Sequence, residues 1–131
     1  MGIRRFLISI VLIAGLVGSQ LFLLPLPAQA QTATPRIDAN CGIFRPFTKA
    51  TTTWSGGGTS TWASAEAFLY RWDGFRYVRV ANQYSQRFGA SGTAAADAGV
   101  AGSRGWFDGD TIHDFYLWSG PRYLITPEFR C

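Results

Sequence analysis

Two short runs rich in aromatic, β-branched and charged residues, Ala67–Trp72 and Phe75–Val80, flank the dipeptide Asp73-Gly74. Such runs read as strands, and Asp-Gly between them predicts a two-residue type I′ hairpin, because both turn positions take φ > 0. That register sets Trp72 opposite Phe75, Arg71 opposite Arg76, Tyr70 opposite Tyr77 and Leu69 opposite Val78. Side chains alternate faces along a strand. One face then carries Phe68, Tyr70, Trp72, Phe75 and Tyr77. The other carries Leu69, Val78 and Val80, together with Arg71 and Arg76.

The same pattern returns later. Tyr70-Arg-Trp-Asp-Gly-Phe-Arg-Tyr77 is echoed by Tyr116-Leu-Trp-Ser-Gly-Pro-Arg-Tyr123, with five of eight positions identical. Two copies are too few for a solenoid or propeller. Convergence on a good hairpin sequence is the plain alternative, since Trp, Tyr and Gly are what hairpins favour. Pro121 has no N–H, so the second turn is expected to be wider than the first. The echo predicts that Tyr116, Trp118 and Tyr123 occupy the face equivalent to that of Tyr70, Trp72 and Tyr77.

Elsewhere the pattern is weaker. Gly42–Lys49 reads as an edge strand, with Pro46 barring it from a sheet centre. Thr51–Trp54 is β-prone and runs into Ser55-Gly56-Gly57-Gly58. Three consecutive glycines cost much backbone entropy, so this stretch reads as a mobile loop in which Gly57 tolerates a side chain. Asn82–Phe88 continues the second strand. Gly89–Gly105, rich in Gly, Ala and Ser, reads as strand plus loop. Asp108-Gly109-Asp110 reads as a turn, and His113–Trp118 with Arg122–Thr126 as a closing strand pair. Turn spacing of this kind predicts an all-β fold, a small antiparallel β-sandwich, with an up-and-down barrel as runner-up.

The first 30 residues change the picture of where this domain works. Arg4 and Arg5, an apolar run from Phe6 to Leu24, helix-ending Pro25 and Pro27, and Ala28-Gln29-Ala30 follow the order of a cleavable secretory signal. The alternative is an uncleaved anchor, since the apolar run approaches bilayer length. A lipid-modified cysteine does not fit, because Asp38-Ala39-Asn40 precedes Cys41. The chain divides into a leader (1–30), a flexible tail (31–40) and a single β-domain (41–131). The only cysteines, Cys41 and Cys131, bracket that domain. Export to an oxidising compartment predicts a bond between them, tying the first strand to the last.

Cleavage would remove two arginines, leaving ten basic residues against eight acids, a net charge of about +2. There is no basic run, and nucleic acid is not an expected partner. Nine of those ten basic residues are Arg, which stacks on aromatic rings as Lys does not.

Little here points to catalysis. His113 is the only histidine. Its neighbour Asp114 points to the opposite face of a strand and is poorly placed to orient the imidazole. No nucleophile elbow is present. Asp108, Asp110 and Asp114 are oxygen-rich, but their spacing is not that of an EF-hand loop, and a solvated turn is the simpler reading. Zinc lacks ligands once the cysteines are oxidised. Neither a metal nor a cofactor is expected.

The aromatic face is then either the covered rim of the core or an exposed platform for a protein or carbohydrate ligand. The exposure of Tyr70, Trp72, Tyr116 and Trp118 separates the two. The expectation is an exported, non-catalytic binding domain whose recognition residues are Tyr70, Trp72, Tyr77, Tyr116, Trp118 and Tyr123. Alternatives are a secreted enzyme inhibitor that inserts the Trp54–Gly58 loop, a structural cell-surface component, and, third, a weak hydrolase.

Overall fold

The computed structural model describes residues 31–43 and 45–131. The leader expected at residues 1–30 lies outside the described residues. Among the described residues eight strands form two antiparallel sheets. β1 (Thr32–Cys41), β2 (Pro46–Ser55) and β5 (Gly92–Gly99) make a three-stranded sheet with β2 in the middle. β3 (Trp62–Trp72), β4 (Tyr77–Phe88), β6 (Trp106–Phe115) and β7 (Arg122–Ile125) make the other in the order β4-β3-β6-β7, and the short β8 (Phe129–Arg130) also pairs with β6. β2 and β5 pack across the core onto β3 and β6. Cys41 and Cys131 are joined, their Cα atoms 5.5 Å apart. The bond ties the end of β1 to the residue after β8.

The space between the sheets is filled by small side chains. Ala50, Ala63, Ala65, Ala67, Ala94, Ala96 and Ala98 are buried, with Leu69, Phe107, Phe115 and Trp54 supplying the bulk. Small residues let the sheets approach closely. The approach is tight at Gly109: a Cβ there would sit 2.5 Å from Thr48 Oγ1 and 2.7 Å from Ala39 Cβ. Asp108-Gly109-Asp110 is therefore strand interior, not a turn. Its glycine leaves room for Thr48 and Ala39 of the opposite sheet.

Three other expectations are corrected. Residues 31–40 are not a free tail, because Thr32–Cys41 pairs along its whole length with β2. Alternation of Ala33, Pro35, Ile37 and Ala39 with polar residues is a half-buried strand pattern, and the disulfide pins its end. Pro46 does open a central strand. It is the first residue of β2, where a missing N–H costs no ladder bond. Gly57 has no room for a side chain, since a Cβ would fall 2.3 Å from Oγ1 of the buried Thr61.

The first hairpin forms, but with a four-residue connection, 73–76, that sets Trp72 opposite Tyr77. Gly74 has φ +105° and Asp73 does not have a positive φ. Asp73 instead closes the turn with its side chain: Oδ1 accepts hydrogen bonds from the N–H groups of Phe75 (2.8 Å) and Arg76 (3.0 Å). These bonds hold its carboxyl below the usual carboxylate range. The two-residue slip keeps Tyr70, Trp72 and Tyr77 on one face, while Phe75 falls in the connection. A β-bulge at Leu69/Tyr70 then leaves Val80 out of register. Leu69 is buried as expected, but Val78 and Val80 are exposed.

His113 is fully buried. Thr52 Oγ1 donates to the Ser64 carbonyl (2.8 Å), so it accepts from His113 Nδ1–H (2.8 Å). Nε2 then accepts from the Thr111 hydroxyl (2.7 Å). Burial drives the imidazole pKa down to about 4, so the ring is neutral and structural.

Candidate functional site

In β3 the odd-numbered residues from Ala63 to Leu69 enter the core, so the even-numbered ones point away from the second sheet. The same separation holds in β6, where Phe107, Gly109, Thr111, His113 and Phe115 are buried. The outer face of the five-stranded sheet therefore collects Trp62, Phe68, Tyr70 and Trp72 from β3, and Trp106, Asp108, Asp110 and Ile112 from β6. By register, β4 adds Tyr77, Arg79, Tyr84 and Phe88, and β7 adds Tyr123 and Ile125. No third layer covers this face among the described residues. Trp72 is 42%, Trp106 45% and Tyr123 68% exposed, and Tyr84, Phe88 and Ile125 are exposed as well, whereas Phe68 is buried within the face.

Two concavities interrupt the face. At one end Trp72, Tyr77, Trp106 and Glu128 surround about 310 Å³. The Trp72 and Tyr77 ring centroids are 5.2 Å apart, with planes tilted by 56°. In the middle, a groove of about 370 Å³ runs between Phe68, Tyr70 and Arg79 on one side and Ile112, Tyr123 and Ile125 on the other, with Asp110 among them. The Arg79 guanidinium lies 5.8 Å from the Phe68 ring centroid. Asp110 Oδ1 is buried and has no hydrogen-bond partner among the described residues.

Carboxylates set the electrostatics. Burial raises the pKa of Asp110, and Asp108 adds to the rise. Asp108 is raised by burial and then by Glu128, against a lowering from the Gly109 N–H. The Tyr70 phenol is raised by burial first and by Asp110 second, with Arg79 opposing. Tyr77 is raised by burial and then by Glu128 and Asp108. The face is thus aromatic and locally acidic on a chain whose net charge is positive. Asp108, Asp110 and Asp114 are strung along one strand. Among the described residues no three His, Cys, Asp or Glu side chains come together to hold a metal ion.

Of the six aromatic residues expected here, four lie on this face: Tyr70, Trp72, Tyr77 and Tyr123. Tyr116 and Trp118 do not. The second copy of the motif is not a hairpin equivalent to the first. β6 ends at Phe115, where the Trp118 N–H turns back to the Phe115 carbonyl (2.9 Å), and pairing with β7 resumes only at Arg122. Trp118 and Tyr116 pack edge-on against Phe115, at 5.9 and 5.1 Å between centroids, and both adjoin the core. Arg122 covers Trp118 at 4.1 Å. These two rings close one end of the sandwich. Trp54 is also buried, its indole N–H donating to the Gly89 carbonyl (2.9 Å), so the loop expected to serve an inhibitor does not present it.

Trp106, Tyr84 and Phe88 escaped the sequence reading. The signal for Trp106 was an alternation running unbroken from Phe107 to Phe115, hidden by taking Gly109 for a turn residue. No family model matches the chain, and no curated protein matches it in sequence.

Proposed function

We propose that this chain is an exported, non-catalytic binding domain whose recognition surface is the outer face of the five-stranded sheet. The observation that carries the reading is the exposure of Trp72, Trp106 and Tyr123 on that face. Rings that large are normally buried, and contiguous exposed aromatic surface generally marks contact with a ligand or partner. The unpartnered Asp110 oxygen in the central groove supports it, because a buried acceptor without a donor suits a ligand that brings one. Protein and carbohydrate are both within this reading, as each combines apolar area with hydrogen-bond donors. The disulfide fits an oxidising compartment, and among the described residues no helix is long and apolar enough to cross a membrane.

The competing idea of a polymerising surface component finds less support. Among the described residues β1 is an open edge ten residues long, but Pro35 removes an N–H from its middle, which hinders strand addition.

The reading is tested with Trp72→Ala and Tyr123→Ala. Retention on immobilised polysaccharides, peptides and cationic ligands should fall in both variants, with the melting temperature close to that of the unmodified chain, because both rings are substantially exposed. Unchanged retention in the two variants would move the binding surface elsewhere.

A further inference from the structure

We propose that the concavity between Trp72, Tyr77, Trp106 and Glu128 binds a small organic cation of the quaternary ammonium type. The inference rests on the outer face being a binding surface, and it names the ligand chemistry at one end of that face. Three neighbouring strands contribute the rings: Tyr77 from β4, Trp72 from β3 and Trp106 from β6. Trp106 stands beside Trp72, one step beyond the Arg71–Phe107 pair of the ladder. The tilt of 56° between Trp72 and Tyr77 makes a corner of ring faces in place of a flat stack. Glu128, immediately before β8, supplies a carboxylate at the rim.

Ring faces carry negative quadrupole density and attract a cation. A quaternary ammonium group has no N–H to satisfy, so rings and one carboxylate meet its needs. The charge of the site favours the same ligand. Glu128 and Asp108 both raise the Tyr77 phenol, and Glu128 raises Asp108, so the local field opposes anions. The Arg130 guanidinium lies 6.0 Å from the Trp106 ring centroid. It belongs to β8, across β6 from Trp72, and does not line the concavity. That contact also shows Trp106 already facing one cation.

The test is a titration of the full chain with choline chloride, followed by tryptophan fluorescence. The control is the neutral carbon isostere, in which a tert-butyl group replaces the trimethylammonium head. Choline should give a saturable change, and the isostere should bind roughly tenfold more weakly. Trp106→Ala should weaken choline by roughly tenfold and Glu128→Gln by severalfold, both with melting temperatures near that of the unmodified chain. Sedimentation with phosphatidylcholine vesicles but not phosphatidylglycerol vesicles would assign the cation to a lipid headgroup, whereas response to free choline alone would assign it to a solute. Either outcome supports the site. No saturable response to choline, or an equal response to the isostere, overturns it. If choline fails while Trp72- and Tyr123-dependent retention persists, this inference falls and the binding face stands; if both fail, the face itself is misassigned.

Discussion

Acidification should destabilise this domain through His113, and the size of the effect follows from its burial. The imidazole pKa is about 4 in the folded protein against 6.5 for an ordinary histidine. Between those values the unfolded chain binds a proton that the folded one does not, so stability rises with pH across that window and is lost as pH falls through it. Two and a half pKa units correspond to roughly 3 kcal/mol, lost at up to about 1.4 kcal/mol per pH unit and complete near pH 4. One feature limits the loss: the Thr111 hydroxyl can turn toward the Leu124 carbonyl, 3.5 Å away, and accept from a protonated Nε2. Asp108 and Asp110 act in the opposite sense, because their raised pKa values let the folded state take up protons first in the carboxylate range. The assay is therefore a difference. Denaturant unfolding of the unmodified chain and of His113→Asn is followed by tryptophan fluorescence from pH 7.5 to pH 4. The stability difference between them should shrink by about 3 kcal/mol as pH falls, since only one of them carries the imidazole. A difference that stays flat over that range would mean that the folded core accommodates the imidazolium, and the argument from burial would be wrong.

The remaining predictions concern covalent and steric constraints. Replacing Cys41 and Cys131 together by Ser should cost about 4.6 kcal/mol in the chain-entropy model, given the 90-residue separation; denaturant midpoints of the oxidised chain and the double variant measure it, and equal midpoints would contradict it. Gly109→Ala should be more damaging than Gly74→Ala. The first drives a methyl group into Thr48 and Ala39, whereas the second meets nothing within 4 Å and costs only the backbone strain of φ +105°, roughly 1–2 kcal/mol. Comparable melting temperatures for the two variants would refute the close approach of the sheets at Gly109.

Much of the local structure was readable in the chain. The runs around Asp73-Gly74 are strong strand formers, and a hairpin formed there because propensity and turn chemistry agree. Its register was not readable. Asp73 has two ways to make a turn, by adopting φ > 0 or by using its carboxylate, and the sequence is the same for both. The echo at Tyr116–Tyr123 misled for a related reason. Similar residues do not enforce a similar path when Pro121 removes a donor and Phe115 offers a buried ring on which Trp118 can pack. Ala94, Ala96 and Ala98 were likewise faint, because alanine alternating with Thr93, Ala95 and Asp97 has little hydrophobic contrast, although it suits closely spaced sheets.

By itself the sequence determined that the domain is built of strands, that its two cysteines can be bonded to one another, and that each strand divides its residues into two sets. Period two makes that division, and it depends only on the alternation of the backbone. What it leaves open is which set meets the second sheet. In β3 the choice fell on Ala63, Ala65, Ala67 and Leu69, because the facing strands β2 and β5 bring Thr and Ala side chains that fill only a thin layer. Tyr70 and Trp72 belong to the other set of β3, so they stand outside with Trp106 and Tyr123. That placement depends on the volume between two sheets whose strands are distant in the chain, and no local pattern encodes it.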